Sequence, residues 1–369
     1  MKTDILTQLF HERNSSVNTQ KTYRRAIRYY EQLTGHSIEE LVDLADNEEY
    51  ENIRWKNTDT RRYILEYRDY LYQKYNVSTA QLYLTAVITI YRHFEITIPP
   101  LPYYSTKHLK RTPPIEYKDL PDKKLISECL QISSPVVRSI LLFLSSSGVS
   151  RIDALNLTIG DYLEATTDYH THQDSVKYAI REMREQDNIL PTFKLRRQKT
   201  GHDYITFCSH EATKCINEYL LTRTETLTRE RPLFKINERY FNMAFERLNG
   251  HFDLGKVGNY NRLRPHMLRK YHATQLAESG MPLDHINILQ GRKNHTVAHQ
   301  HYIRIKPETL REEYIEALPY LVIEDINKYK TELEQVREEN NDLKNKWGNI
   351  MERLEALENT QWEDAKNEY

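Results

Sequence analysis

Cysteine is scarce in this chain: three among 369 residues, Cys129, Cys208 and Cys215, scattered without pairing or metal-ligand spacing. That argues against a disulfide-built scaffold and points to a reducing compartment. Long apolar runs are missing too. No stretch approaches the roughly 18–20 residues needed to cross a bilayer, and no signal-peptide pattern opens the chain. Charged residues make up 28% and mean hydropathy is −0.76, so a soluble, cytoplasmic protein is expected. An excess of charge of either sign is also missing, with a net of −1. The near-zero total conceals a division. From Ile323 onward there are 7 basic and 13 acidic residues; the remainder holds 45 basic and 40 acidic, a net of +5. Placement of charge therefore matters more than its sum.

A metal site finds little support. His295, His299 and His301 cluster, but no His-Glu-x-x-His motif accompanies them. No metal and no cofactor are expected, and these histidines read better as lining a phosphate-binding surface.

Most telling among the residues present is the stretch PHMLRKYHATQLAESGMPLDHINILQGRKNHTVAHQHYIR, from Pro265 to Arg304. Pro265 suits a first helical position and Gly280 a C-terminal stop. His266 and Arg269, at i and i+3, share one face and can address one oxyanion. Leu268, His272 and Leu276 recur on another face, as a plain amphipathic helix would also have them. Arg292 and Tyr302 follow a Gly-broken connection. Upstream, the apolar helical run Val136 to Leu144 stops at Ser145-Ser146-Ser147-Gly148. A helix begins at Ser150-Arg151-Ile152-Asp153, where Asp153 reads equally as a cap. Arg151 at a helix start opposes the dipole and is better explained as bound to an anion. Ile189 to Thr200 and Tyr204 to Cys208, separated by Gly201-His202-Asp203, predict a hairpin. Lys199 at its tip is the lysine best placed to reach into a cleft.

The chain's first part has its own pattern. In Asn18 to Leu33, Tyr23, Ile27 and Tyr30 run at helical spacing, while Lys21, Arg24, Arg25 and Arg28 form a cationic stripe suited to phosphates. Helices are expected at about Asp59 to Tyr75 and Ser78 to Phe94, the second capped by serine. Prolines at 99, 100, 102, 113 and 114 bracket Lys107-His108-Leu109-Lys110-Arg111, a linker with basic side chains. At the far end, Ile326, Leu333, Asn340, Trp347 and Leu354 repeat every seven residues, with Tyr329, Val336, Leu343, Ile350 and Leu357 offset by three. Such a/d heptads, with one Asn at an a position, predict a parallel dimeric coiled coil. A helix folding back on its own domain is the alternative.

The order Arg151, Lys199, His266-x-x-Arg269, a late basic residue and Tyr302 resembles the tyrosine recombinase (phage integrase) family over roughly Asp119 to Leu321. The SSG-x-S-R, R-x-K-T and L-Q-G-R segments are most similar to archaeal virus and plasmid integrases. The resemblance implies a mainly α fold with a small β-hairpin (α+β) in the catalytic domain and a helical DNA-binding domain before it. The expected layout is a core-DNA-binding domain over 1–98, a linker over 99–118, the catalytic domain over 119–322 and the coiled-coil extension over 323–369. It further implies a site-specific DNA recombinase: Tyr302 as nucleophile forming a 3′-phosphotyrosine, Arg151 and Arg269 gripping the phosphate, Lys199 protonating the leaving 5′-oxygen and His266 assisting the phenol. The family's usual acid lies three residues after the first arginine, whereas Asp153 lies two after. Its usual His or Trp nine before the tyrosine is Lys293 here. Arg292 is favoured for that last position, with Lys293, His295 and Asp153 in support. Duplex attachment sites would be the partner, bound along Lys21, Arg24, Arg25, Arg28, Lys107, Lys110 and Arg111. A dimer would occupy one site and a tetramer the synapse, the role expected being integration or excision of a mobile element. A type IB topoisomerase and an inactive DNA-binding regulator on the same scaffold are the alternatives.

Overall fold

The structure is a computed structural model and describes residues 4–109, 111, 113–171, 175–292 and 305–323. It divides into two compact units, residues 1–114 and 115–369.

The first unit is all helical: α1 (Ile5–Glu12), α2 (Val17–Thr34), α3 (Ile38–Tyr50), α4 (Asp59–Lys74) and α5 (Val77–His93). Ile27 and Tyr30 of α2, Ile64, Tyr67 and Leu71 of α4, and Val87, Ile90 and Tyr91 of α5 meet in its core. Three of these are tyrosines, and a buried phenol requires a partner for its hydroxyl. Tyr67 donates to the Ala26 carbonyl at 2.7 Å, and the Tyr30 and Tyr91 hydroxyls share a bond of 2.9 Å. Helix α5 starts two residues earlier than a cap at Ser78 would place it. Its cap is Asn76, whose side-chain oxygen accepts from the Thr79 N–H at 2.9 Å.

In the second unit α6 (Lys123–Ile132), α7 (Pro135–Ser147), α8 (Arg151–Asn156), α9 (Ile159–Ala165) and α10 (Val176–Arg184) precede a hairpin. After it come α11 (His210–Thr222), α12 (Glu238–His251), α13 (Pro265–Glu278), α14 (Leu283–Leu289) and α15 (Pro307–Leu321). Strands β1 (Thr192–Arg196) and β2 (Asp203–Phe207) pair antiparallel with Lys194 opposite Ile205; β1 is shorter than its expected run, and β2 has the expected length but starts one residue earlier. A second small sheet joins β3 (Lys256–Val257) to β4 (Tyr260–Asn261). The architecture is mostly helical with small two-stranded sheets.

Helix α7 is the centre of this unit and packs against both α11 and α13. It does not stop at Ser145. It runs through the serines and ends only at Gly148. All three are buried, because each hydroxyl bonds back to the preceding turn: Ser145 and Ser146 to the Leu142 carbonyl, Ser147 to that of Phe143. Tyr314 of α15 is fully buried and donates to the Ser146 carbonyl at 2.8 Å. Tyr320, near the helix end, is 41% exposed.

Candidate active site

Arg151, Arg197, Lys199, His266 and Arg269 line one cavity of about 220 Å³, together with Ser150 and Asp153. They come from three places in the chain. Arg151 and Asp153 open α8, Arg197 and Lys199 lie in the turn after β1, and His266 and Arg269 sit on the first turns of α13. The helical i,i+3 spacing brings the last two together as expected.

The three arginines are held by their neighbours. Arg269 is 5% exposed. One end of its guanidinium donates to the Gly148 carbonyl at 2.6 Å and the other to that of Gln290. Gln290 is itself buried, and its amide donates to the Arg269 carbonyl at 2.9 Å and to His272 Nδ1 at 3.0 Å. Gly148 sits at φ 61°, and a Cβ there would lie 2.4 Å from His272 Nδ1. Only glycine fits both the left-handed backbone and the close ring. The end of α7, the face of α13 and the Gln290 segment thus build one seat for a buried cation.

Asp153, which the sequence offered as a cap, does not cap the helix itself. Ser150 caps α8 by accepting from the Asp153 N–H at 3.3 Å. The Asp153 carboxylate meanwhile accepts from Ser150 Oγ at 2.7 Å, from the Gln198 N–H at 3.0 Å and from the Tyr204 hydroxyl at 3.4 Å. It ties the hairpin turn to the start of α8, next to Lys199.

Arg151, expected to be bound to an anion, meets a carboxylate of the protein itself. Its guanidinium donates to Asn242 Oδ1 at 2.9 Å and pairs with Glu238 at 2.8 Å, both from α12. Opposing the local dipole is offset by that carboxylate, and one third of the side chain remains exposed.

The electrostatics favour an anion. Burial, then Arg292 and Arg197, push the Arg269 guanidinium down to about 10. Burial and Arg197 likewise lower Arg292, which is half-buried. Three guanidinium groups repel one another here, and a bound anion would relieve that repulsion. Desolvation by the surrounding chain, then Lys270, Arg264, Arg269 and Arg292, hold the His266 imidazole below its ordinary range. A neutral His266 is the form that can accept a proton.

Lys293, His295 and Tyr302, and the seven-residue repeats after 323, lie outside the described residues, as does Lys110. In the first unit Lys21, Arg24, Arg25 and Arg28 are all exposed on α2. Two of them have company: Arg24 pairs with Asp4 at 3.8 Å and stacks over Phe10, and Arg25 meets the Tyr83 hydroxyl, which raises its hold on the proton. Lys107 and Arg111 are exposed as well.

Sequence reasoning passed over Arg197, Gln290, Glu238 and Asn242. The first two stood inside the R-x-K-T and L-Q-G-R segments and carried a signal without an assigned role. Glu238 and Asn242, four apart on an amphipathic helix, carried none.

Residues 138–309 match the phage integrase family. No curated protein matches the chain at a significant level. Among solved structures it is similar to the XerH site-specific recombinase bound to difH substrate, at 15% identity, covering 85% of this chain and 84% of that one, with a TM-score of 0.48. It is also similar to the Tn1549 transposon integrase in complex with circular intermediate DNA, at 15% identity, covering 84% and 97%, with a TM-score of 0.47. The XerA recombinase shares 20% identity over 84% of this chain and 95% of that one, with a TM-score of 0.33.

Proposed function

From a chain that carries a phage integrase (tyrosine recombinase) family domain over residues 138–309, we propose a site-specific DNA recombinase that cuts and rejoins duplex DNA through a 3′-phosphotyrosine. One observation carries this reading: Arg151, Lys199, His266 and Arg269 share a single cavity despite lying more than a hundred residues apart at the extremes. Arg151 and Arg269 grip the non-bridging oxygens of the scissile phosphate, a task suited to the guanidinium fork, with Arg292 as the further cation. The phenol of Tyr302 gives its proton to His266 and attacks phosphorus. The bond from phosphorus to the 5′-oxygen breaks, and Lys199 protonates the departing oxygen. A 5′-hydroxyl of another strand then attacks the phosphotyrosine and releases Tyr302. Bond energy is conserved through the covalent intermediate.

The exposed cations Lys21 and Arg28, with Lys107 and Arg111 in the linker, are assigned to the DNA backbone. The heptads beyond Ile323 are assigned to self-association, a dimer on one site and a tetramer in synapsis. Integration or excision of a mobile element is the role proposed, and the R-x-K-T and L-Q-G-R segments support an archaeal-type relative.

A pool of random-sequence nicked duplexes tests the chemistry. The protein should become attached to a subset of them in a bond that survives detergent, and Tyr302→Phe should capture none. Capture by Tyr302→Phe equal to that of the unaltered protein would sink the assignment. Binding without any covalent capture would favour the regulator.

A further inference from the structure

The turn that carries Lys199 is built around Arg197. The Arg197 N–H donates to the His202 carbonyl at 2.8 Å, and its own carbonyl accepts from Thr200 at 3.2 Å and Gly201 at 2.8 Å. Gln198, Lys199, Thr200 and Gly201 therefore hang from one residue. The side chain of that residue leaves the strand in the other direction from its neighbour. Arg196 is exposed and faces Asp203 across the hairpin, whereas Arg197 is half-buried and donates through Nη1 to the Gly291 carbonyl at 2.5 Å. Gly291 is a narrow seat. It lies at φ 59°, and a Cβ there would approach the Tyr204 ring to 2.8 Å. Tyr204 in turn reaches Asp153, the residue that holds Gln198 from the opposite side. Lys199 is exposed and makes no hydrogen bond or ion pair among the described residues, so its position depends on how its turn is fixed.

We infer that Arg197 is a positioning residue: by clamping the base of the turn to Gly291, it holds Lys199 where an ammonium can reach the leaving oxygen. This rests on the reading of Lys199 as the group that protonates that oxygen. Two anchors, Asp153 to Gln198 and Arg197 to Gly291, confine a lysine that would otherwise sweep a wide volume. The second anchor also joins the lysine turn to the segment carrying Gln290, which seats Arg269. Acid and phosphate clamp are thereby referred to one piece of backbone.

The experiment uses a nicked duplex recovered by covalent capture, made twice: once with the natural 5′-oxygen at the scissile phosphate, once with sulfur in that bridging position. A thiol, with a pKa of about 8.5, leaves without being protonated, unlike an alcohol. Losing a general acid typically costs about 10²–10⁴ in rate. Single-turnover cleavage by Lys199→Ala should therefore fall by at least about a hundredfold on the oxygen duplex and come within about tenfold of the unaltered protein on sulfur. Arg197→Ala should show the same signature at smaller size, about ten- to a hundredfold slower on oxygen and nearly normal on sulfur. An equal deficit on both duplexes would make Arg197 a phosphate ligand or a merely structural residue, and an absent deficit would make it dispensable; either overturns the inference. If Arg197→Ala does not fold, Arg197→Lys decides, with a milder deficit expected on oxygen alone. Failure of sulfur to rescue Lys199→Ala would instead overturn the role of Lys199.

Discussion

His272 lies on α13 nearly two turns beyond His266 and, unlike it, does not line the cavity. It is fully buried between Gly148 and Gln290, and burial, with Arg269 and Arg292 nearby, pushes its imidazole down to about 3. A protein that needs a cation at Arg269 gains from a neutral ring beside it. The unfolded chain takes up this proton near pH 6.5, whereas the folded chain resists until about 3. Stability from this residue is therefore complete above pH 6.5 and is lost as pH falls toward 3, at up to about 1.4 kcal/mol per pH unit. His272→Gln keeps an acceptor for the Gln290 amide but does not titrate. Urea midpoints measured between pH 7 and 4 should fall more steeply for the unaltered protein than for this variant. Parallel curves would show that His272 is not responsible. None of this was visible in the sequence, where His272 read only as one member of an amphipathic face.

At the scale of elements, the ends of helices supply most of the candidate site. Helix α7 delivers Gly148 and its carbonyl, α8 begins with Ser150 and Arg151, and α13 begins with Pro265 and His266. The Ser-x-x-Asp start and the N-terminal proline were legible because capping is local. The serine run was misread as a stop, since only tertiary burial makes it favourable for those hydroxyls to bond back into the helix. The hairpin was legible from its apolar runs, but its ends were not: pairing stops at Arg196 and Asp203, where the turn begins. The repeats after Ile323 remain a sequence argument, and they make a sharp prediction. Ending the chain at Ile326 should lower the solution mass measured by light scattering from a multiple of 44.2 kDa to that of a single shortened chain. An unchanged degree of association would remove the tail from the assembly interface.

For the whole molecule, the proposed DNA binding has to work with a net charge of −1. The acidic tail more than accounts for that total, since the rest of the chain carries a net of +5. On α2, Arg24 is paired with Asp4 and Arg25 meets Tyr83, which leaves Lys21 and Arg28 as the cations of the stripe without such a partner among the described residues. Each phosphate neutralised by a basic side chain releases condensed counterions and steepens the salt dependence by roughly 0.9. Replacing both Lys21 and Arg28 by Ala should flatten the slope of log affinity against log salt by about two, across sequences alike. A slope that does not change would place the DNA elsewhere on the protein. No helix among the described residues is long and apolar enough to cross a membrane.

The sequence by itself determined the starts of α8 and α13, the presence of the hairpin, and the order in which arginine, lysine, histidine and arginine occur, because these depend on neighbours a few residues away. Tertiary structure alone decided that Arg197 turns inward to Gly291, that Glu238 and Asn242 hold Arg151, and that Arg269 rests on the carbonyls of Gly148 and Gln290. Those bonds join segments between 21 and 121 residues apart. A pattern read along the chain has no access to partners at that distance, since only the packing of α7, α12 and α13 brings them within reach.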